Sequence, residues 1–498
     1  MPTRRNVLRA AAVVPAAATL SPVPSHAAGT DSTFGPVSVR RDDPRYADLV
    51  RRGNSRFVGQ PDEVRVVGST EQVVAAVRDA VRSGRRLAVR SGGHCFEGFV
   101  DEPTVRLVID LSGLTDIYYD RTQEAYAVEA GATLGEIYRR LYLGWGVTIP
   151  GGECPGVGIG GHATGGGYGR LSRLHGLVSD HVYAVEVVVV DRSGRARAVV
   201  ATSDRDDPNR DLWWAHAGGG GGSFGVVTRY WFRDLPQPPR EMLSFAVEWP
   251  WEGLDETGFR RLAANAAEWA ARHSAPGTPE TRLYSELVLT HRSQGAHRLI
   301  GDVAGGGQGL FSAYLAALRE GVGVTPSVTQ RQQPWLKATL GEASDDGKQW
   351  RLKAKSGYQR GPLSEHQLAA AYRHLTRPDF TGLVGSVSLN LYGGAINAVA
   401  PDATAAVHRD ATMLLFYLTA WSDPAQDDAQ LSWIREFYAD VYAETGGVPA
   451  SGAYISYPDV DQPRLELYFG SNLRRLRQVK AKWDPGNAFR HALSITAG

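Results

Sequence analysis

The sequence predicts an α+β protein of two domains, on three observations. Its 498 residues exceed the length of one ordinary domain. The valine-dominated run Val182 to Val190 has the character of a strand buried on both faces. Capping patterns open helices between such strands, yet no Gly-x-Gly-x-x-Gly follows a first strand, which argues against a doubly wound parallel sheet.

The elements follow in order. Residues 28–45 read as a polar leader. Ser69-Thr70-Glu71-Gln72 is a capping box; Val73, Val74, Val77 and Val81 then recur at helical spacing, and Gly84 stands where a helix ends. Residues 87–90 are a short strand feeding a glycine turn, and Thr133 with Glu136 repeats the box ahead of 137–141. After Val190, Ser193-Gly194 turns the chain into a second strand over 197–202, with another at 224–232. Pro236-Gln237-Pro238-Pro239 is the clearest linker. Beyond it, strand-like pieces (283–289, 384–392, 412–420) alternate with helix-like ones (259–273, 431–445), and 305–309 reads as a loop.

Composition narrows the function classes. Hydrophobic residues make up 43% and charged residues 21%, the balance of a soluble globular protein. A formal net charge of +1 gives no electrostatic case for nucleic acid or an anionic membrane. Thr3-Arg4-Arg5-Asn6-Val7-Leu8-Arg9, the apolar run 10–20 and Ser25-His26-Ala27 read as a twin-arginine export signal with cleavage near Ala27. The run is too short to span a bilayer, so the expectation is a secreted protein with no membrane partner.

Two glycine-framed segments dominate the chain: Arg90-Ser91-Gly92-Gly93-His94, and the stretch from Gly152 through Cys154, Gly156, Gly158, Gly160 and Gly161 to His162. Without a Cβ in the way, glycine backbone N–H groups approach a phosphate closely. A His or Cys beside such a cradle can be set against the ring of a bound dinucleotide, and the pairing points to a flavin. Other readings stand beside this one. His94 can cap the turn, Cys154 can be a small buried hydrophobe, and the chain's two cysteines, Cys95 and Cys154, can form a disulfide. No carboxylate or thiolate set surrounds His94 and His162 at ligand spacing, so no metal is expected.

Further motifs agree with the flavin reading: Gly165-Gly166-Gly167-Tyr168-Gly169, Asp211-Leu212-Trp213-Trp214-Ala215, the glycine-rich 218–225, Tyr454-Ile455-Ser456-Tyr457-Pro458-Asp459, and Trp483-Asp484-Pro485-Gly486-Asn487-Ala488-Phe489. Together they resemble the berberine bridge enzyme-like FAD-linked oxidases of the vanillyl-alcohol oxidase superfamily. The resemblance runs from about Asp43 to the C-terminus, is weakest in the middle third, and is nearest to bacterial oxidases that finish secondary metabolites. It implies a PCMH-type FAD-binding domain (28–238) and a substrate domain with an antiparallel sheet covered by helices (239–452). A C-terminal segment (453–498) then returns to the first domain, all behind a signal peptide (1–27).

The resemblance also implies FAD attached twice, through His94 to the 8α-methyl and through Cys154 as a thioether at C6. The imidazole must be neutral to attack, and Cys154 needs thiolate character. Further cofactor contacts are implied at Arg90, Ser91, Gly92, Gly93, Gly158, Gly160, Gly161, His162, Gly225, Val226, Val227, Tyr457 and Asn487. Tyr457 is the implied base, with a core strand tyrosine as the lesser alternative. A free phenol has a pKa of about 10, so the role calls for a nearby cation, with Lys355 and Arg90 as candidates. Tyr168 and Tyr392 are implied as further catalytic and substrate-lining rings, with Trp421 as another aromatic wall; each alone reads equally as core packing. The chain departs from the family in two places: Ser456 stands where Asn is common, and the stretch after Asp459 is short.

The expected activity is oxidation of a secondary alcohol on a natural product or sugar to a carbonyl, with O2 reduced to H2O2. The partner is then a small molecule, and the oligomeric state is left open. Three alternatives remain: oxidation of a hexose or oligosaccharide at the anomeric carbon to a lactone, a dehydrogenase that excludes oxygen, and a flavin-fold binding protein without catalysis.

Overall fold

The computed structural model describes residues 34–341 and 350–498; the export signal expected at 1–27 lies outside them. A four-stranded sheet comes first: β1 (Val37–Arg40), β2 (Glu63–Val66), β3 (Leu87–Arg90) and β4 (Leu107–Asp110), in the order β1-β2-β4-β3. The β2–β4 and β3–β4 pairs are parallel, and β1 is antiparallel to β2. β1 falls inside the stretch read as a polar leader. Its Val-Ser-Val-Arg alternation turns Val39 inward, a short strand pattern that the surrounding polar residues mask.

The second sheet is antiparallel throughout. It holds β5 (Ile117–Asp120), β6 (Ala125–Glu129), β7 (Val182–Val190), β8 (Ala196–Thr202) and β9 (Val226–Phe232), in the order β5-β6-β9-β7-β8. The valine run is thus a strand flanked on both edges. The helix Thr70–Arg82 packs Val73, Ala76, Val77 and Ala80 into one apolar cluster with Val185, Val187 and Val189. Ser69 caps that helix by accepting from Gln72 N, but the Gln72 side chain reaches back to Gly68 N rather than to the cap residue. The Thr133–Glu136 box is complete and opens the helix Leu134–Trp145.

The third sheet has seven strands, all antiparallel: β10 (Glu241–Pro250), β11 (Leu283–Thr290), β12 (Ala296–Ala304), β13 (Ser327–Pro334), β14 (Arg351–Gln359), β15 (Val384–Leu391) and β16 (Met413–Trp421). Their order is β13-β10-β12-β11-β15-β16-β14. Side chains alternate across a strand, and this sheet uses both faces. Leu287, Leu389, Leu415 and Tyr417 face an apolar cluster with Phe259, Leu368, Trp433 and Phe437 from the helices Glu256–Arg272, Glu365–Leu375 and Asp427–Val441. Tyr284, Glu286, Asn390, Phe416 and Leu418, at the alternate positions, line a cavity. The loop expected at 305–309 is shorter than that, since the helix Gln308–Arg319 begins within it.

The last residues carry the helices Leu465–Phe469 and Leu473–Trp483. Phe469, Leu476, Trp483, Phe489 and Ile495 join the same apolar cluster as the first two sheets. Lys480 and Asp484 form a fully buried pair at 2.6 Å, and Lys480 also donates to the carbonyls of Ser223 and Phe489. That lysine ties the glycine-rich 218–225 stretch to the Trp483–Phe489 motif. No helix among the described residues is long and apolar enough to cross a membrane.

Candidate active site

A cavity of about 830 Å3 lies between the two glycine segments, the loop 219–223 and the open face of the seven-stranded sheet. The glycine segments are pressed together, backbone against backbone. A Cβ on Gly92 would stand 2.3 Å from Gly158 N, and one on Gly158 would stand 2.0 Å from Ser91 Oγ. No other residue type fits either position. Ser91 Oγ donates to Ala130 O at 2.7 Å, and Arg90 is held by Asp110 (Nε to Oδ2, 2.7 Å) and by the Leu49 carbonyl. Gly161 differs from its neighbours: a Cβ there would meet nothing within 4 Å, and the residue faces the cavity.

This approach sets His94 beside the second segment, where a Cβ on Gly156 would lie 3.1 Å from His94 Nε2. His94 and Cys154 are both exposed and both line the cavity. Cys95 and Cys154 are not joined by a disulfide, which removes that alternative. Burial pushes the Cys95 thiol up to about 11. His162 clips the second segment by accepting a hydrogen bond from Gly152 N on Nε2 at 3.0 Å; burial lowers its pKa to about 4, so the ring is neutral. Gly93, Gly160, Gly225, Val226 and Val227 also lie in the cavity wall.

Tyr457 lines the cavity with its ring against Phe416 (centroids 4.6 Å), Tyr454 (5.1 Å) and Phe96 (5.6 Å). Burial, then the acidic neighbours Tyr454, Glu286, Cys154 and Glu153, pushes its pKa well above that of an ordinary phenol. Neither expected cation serves it. Arg90 is tied to Asp110, and Lys355 Nζ is bonded to Asp459 (2.6 Å) and Asp461 (3.1 Å). The Asp of the tyrosine motif therefore binds lysines of β14 and anchors the loop that carries Tyr457. Asp461, in the short stretch after it, joins the same network and also pairs with Arg435.

Three expected site residues lie elsewhere. Tyr392 is buried behind Tyr168, ring to ring at 5.2 Å, in a cluster with Tyr284, Tyr358 and Tyr454, and does not line the cavity. Trp421 is buried with Nε1 donating to Asp427 Oδ1 at 2.7 Å, on the far side of the strand end. Asn487 sits in the turn after Lys480–Asp484, donating its backbone N–H to Asp484 O, while Phe489 is the residue of that motif reaching the cavity. Tyr168 does line it, with its hydroxyl donated to Leu391 O and its backbone N–H bonded to the Tyr454 hydroxyl at 3.2 Å.

Other residues at the site escaped the sequence reading. Among the described residues, Glu286 is the one carboxylate the sheet brings to the cavity, opposite Asn390 in the β11–β15 register. Burial, then Glu153, raises its pKa to about 7. The signal was present as Tyr284-x-Glu286-x-Val288, a polar residue on one face of an apolar strand, but the face could not be placed. Glu153 pairs with Arg170 at 3.2 Å, and Arg170 reaches Asp302 at 2.9 Å. Arg173, fully buried, donates to the carbonyls of Tyr392, Glu280 and His273 and stitches the Tyr168 segment to the third sheet.

The residues present fit an FAD. The cavity is long enough to be walled by both glycine segments, the 219–223 loop and the sheet, Gly161 leaves the space a bound phosphate needs, and Ser456 Oγ in the wall has no hydrogen-bond partner among the described residues. The comparisons agree. An FAD binding domain profile matches residues 61–197, and a berberine and berberine-like profile matches 453–496. The chain is 48% identical to the aclacinomycin-N/aclacinomycin-A oxidase of Streptomyces galilaeus, over 99% of this chain and 98% of that one. It is 31% identical to the hexose oxidase of Chondrus crispus, over 91% and 94%. Among solved structures, a glycopeptide hexose oxidase complexed with teicoplanin superposes with a TM-score of 0.89 at 46% identity, covering 93% of this chain and 99% of that one. With these lengths and identities, the chain belongs to the berberine bridge enzyme-like family of FAD-linked oxidases.

Proposed function

We propose that this enzyme oxidises a secondary alcohol on a sugar or polyketide-type natural product to the carbonyl, with O2 as final acceptor and H2O2 as by-product. The observation that carries the reading is the meeting of His94 and the Cys154–Gly156 turn in the wall of the cavity that Tyr457 also lines. On this reading His94 and Cys154 both hold FAD covalently, and the bound FAD supplies the hydride acceptor. Two tethers fix the cofactor from one side, which leaves the sheet face of Tyr284, Glu286 and Asn390 free to meet a bulky substrate. Tyr457 takes the proton of the substrate hydroxyl. Tyr168 holds its ring against the substrate side, its hydroxyl already committed to a backbone carbonyl. Phe96 and Phe416 keep water from Tyr457.

The relatives support the substrate class, since their names refer to aclacinomycin and to a glycopeptide hexose. The hexose oxidase likeness favours a second reading, oxidation at the anomeric carbon to a lactone. The arginine pair at the N-terminus supports export before action. Peptide mass mapping of acid-precipitated protein tests the tethers: flavin mass on the peptides of both His94 and Cys154 is expected, and colourless protein refutes the reading. Peroxide release with a hexose, an oligosaccharide and a deoxysugar glycoside then separates the two substrates. N-terminal sequencing of secreted protein is expected to begin near Ala28.

A further inference from the structure

His94 is exposed at the cavity wall, on a stretch (residues 94–97) that belongs to no helix or strand. The backbone carbonyls of such a stretch have no ladder to join and must be satisfied from elsewhere. Two side chains from the segment after the helix Tyr46–Leu49 take three of them in succession. Arg52 donates to Cys95 O through Nη1 and to Glu97 O through Nη2 at 2.7 Å. Asn54 Nδ2 donates to the carbonyl between them, Phe96 O, at 2.9 Å.

Both holders are themselves held. Arg52 Nε donates to Asp101 Oδ2 at 2.6 Å, and the two side chains are 3% and 7% exposed. Asn54 Oδ1 accepts from Leu352 N and Arg56 N, each at 3.2 Å, and its Nδ2 also reaches Leu352 O, which ties it to β14. On the other side of His94, Gly93 makes a left-handed turn (φ 74°); a Cβ there would lie 3.7 Å from Arg90 Cδ and 3.8 Å from Arg52 Cβ. All three nitrogens of Arg52 are bonded to protein, so its work lies in the loop rather than in gripping a ligand.

We propose that Arg52 and Asn54 are positioning residues for cofactor attachment, fixing the 94–97 backbone so that the His94 imidazole meets FAD at bonding distance. The inference rests on the reading that His94 carries FAD covalently. In that step His94 forms a ring N–C bond to the 8α carbon as one C–H bond of that methyl breaks. The imidazole N–H and the broken C–H each yield a proton. The C–H electron pair stays with FAD until O2 takes it, with both protons, as H2O2. Such a bond forms quickly only between atoms held near attack distance, and a misplacement of about 1 Å costs about 10²-fold. Cys154 stands on the other glycine segment, so its own bond to FAD is an internal reference.

The test is a time course of flavin mass on the His94 and Cys154 peptides of acid-precipitated full-length protein, for wild type, Arg52→Lys and Asn54→Asp. Lysine keeps the charge facing Asp101 but lacks the fork that spans two carbonyls. Aspartate keeps the acceptor for Leu352 N and Arg56 N but cannot donate to Phe96 O. Two variants that break different bonds of the clamp guard against a folding defect in one of them. In both, attachment at His94 is expected to slow about 10–100-fold, while attachment at Cys154 keeps its wild-type rate. Equal slowing at the two peptides marks a general loss of structure and overturns the proposal. Unchanged attachment at His94 in either variant overturns it as well. Wild type without flavin on His94 overturns the attachment reading itself, and the positioning role with it.

Discussion

Lys353 Nζ lies 2.7 Å from Asp459 Oδ1, joining the floor of the seven-stranded sheet to the loop that carries Tyr457. Their side chains are 1% and 4% exposed, and Lys353 also bonds Glu97, three residues after His94. One buried lysine therefore holds the tyrosine loop and the loop following His94 in a single charge network with Lys355 and Asp461. Electrostatics fixes the distance between two halves of the site that are remote in sequence.

Breaking that network should cost more than an exposed salt bridge, because the partner left behind is buried and charged. Lys353→Met is expected to destabilise the protein by about 3–5 kcal/mol, read as a lowered denaturant midpoint. Asp459→Asn should lower both the midpoint and the turnover rate, since Tyr457 loses its anchor.

Removal of the Tyr457 hydroxyl separates chemistry from folding. Tyr457→Phe is expected to lower kcat by roughly 10²–10⁴-fold. Its flavin absorbance should stay unchanged, because the ring contacts with Phe416 and Tyr454 survive. An unchanged rate would remove Tyr457 from the role of base.

The glycines divide into two kinds. Gly158→Ala places a methyl 2.0–2.3 Å from Ser91 and Gly92, so it is expected to cost about 1–3 kcal/mol and to lose flavin along with stability. Gly161→Ala meets open space and should fold with near wild-type stability while loading less FAD. Thermal melts and flavin-to-protein absorbance ratios distinguish the two.

Acid sensitivity follows from buried neutral histidines. His162, His216, His408 and His491 are each lowered by burial from 6.5 to about 4. Between those values the unfolded chain binds protons that the native state refuses, so stability is lost as pH falls from about 6.5 towards 4. Melting temperature measured across that range is expected to drop steeply. His162→Gln should soften the slope.

Much of the first two sheets was legible because their signals are local. The Thr133–Glu136 box, the valine strand and the glycine segments each declare themselves within a dozen residues. The third sheet was only partly legible. β13, Ser-Val-Thr-Gln-Arg-Gln-Gln-Pro, is almost wholly exposed, and its edge place comes from backbone pairing with β10 rather than from any apolar alternation. Tyr392 and Trp421 were legible as aromatic and misplaced as walls, because residue type does not say which face of a strand meets the cavity.

By itself the sequence pointed to an FAD site: glycines where two backbones must touch, a histidine and a cysteine beside them, and a tyrosine motif near the end. Only the tertiary structure decided which groups share the cavity. Glu286 and Tyr457 lie far apart along the chain, as do Lys353 and Asp459, and which strand face looks inward depends on the register of the whole sheet. That register is set by the packing of helices on the opposite face, an interaction no local window contains.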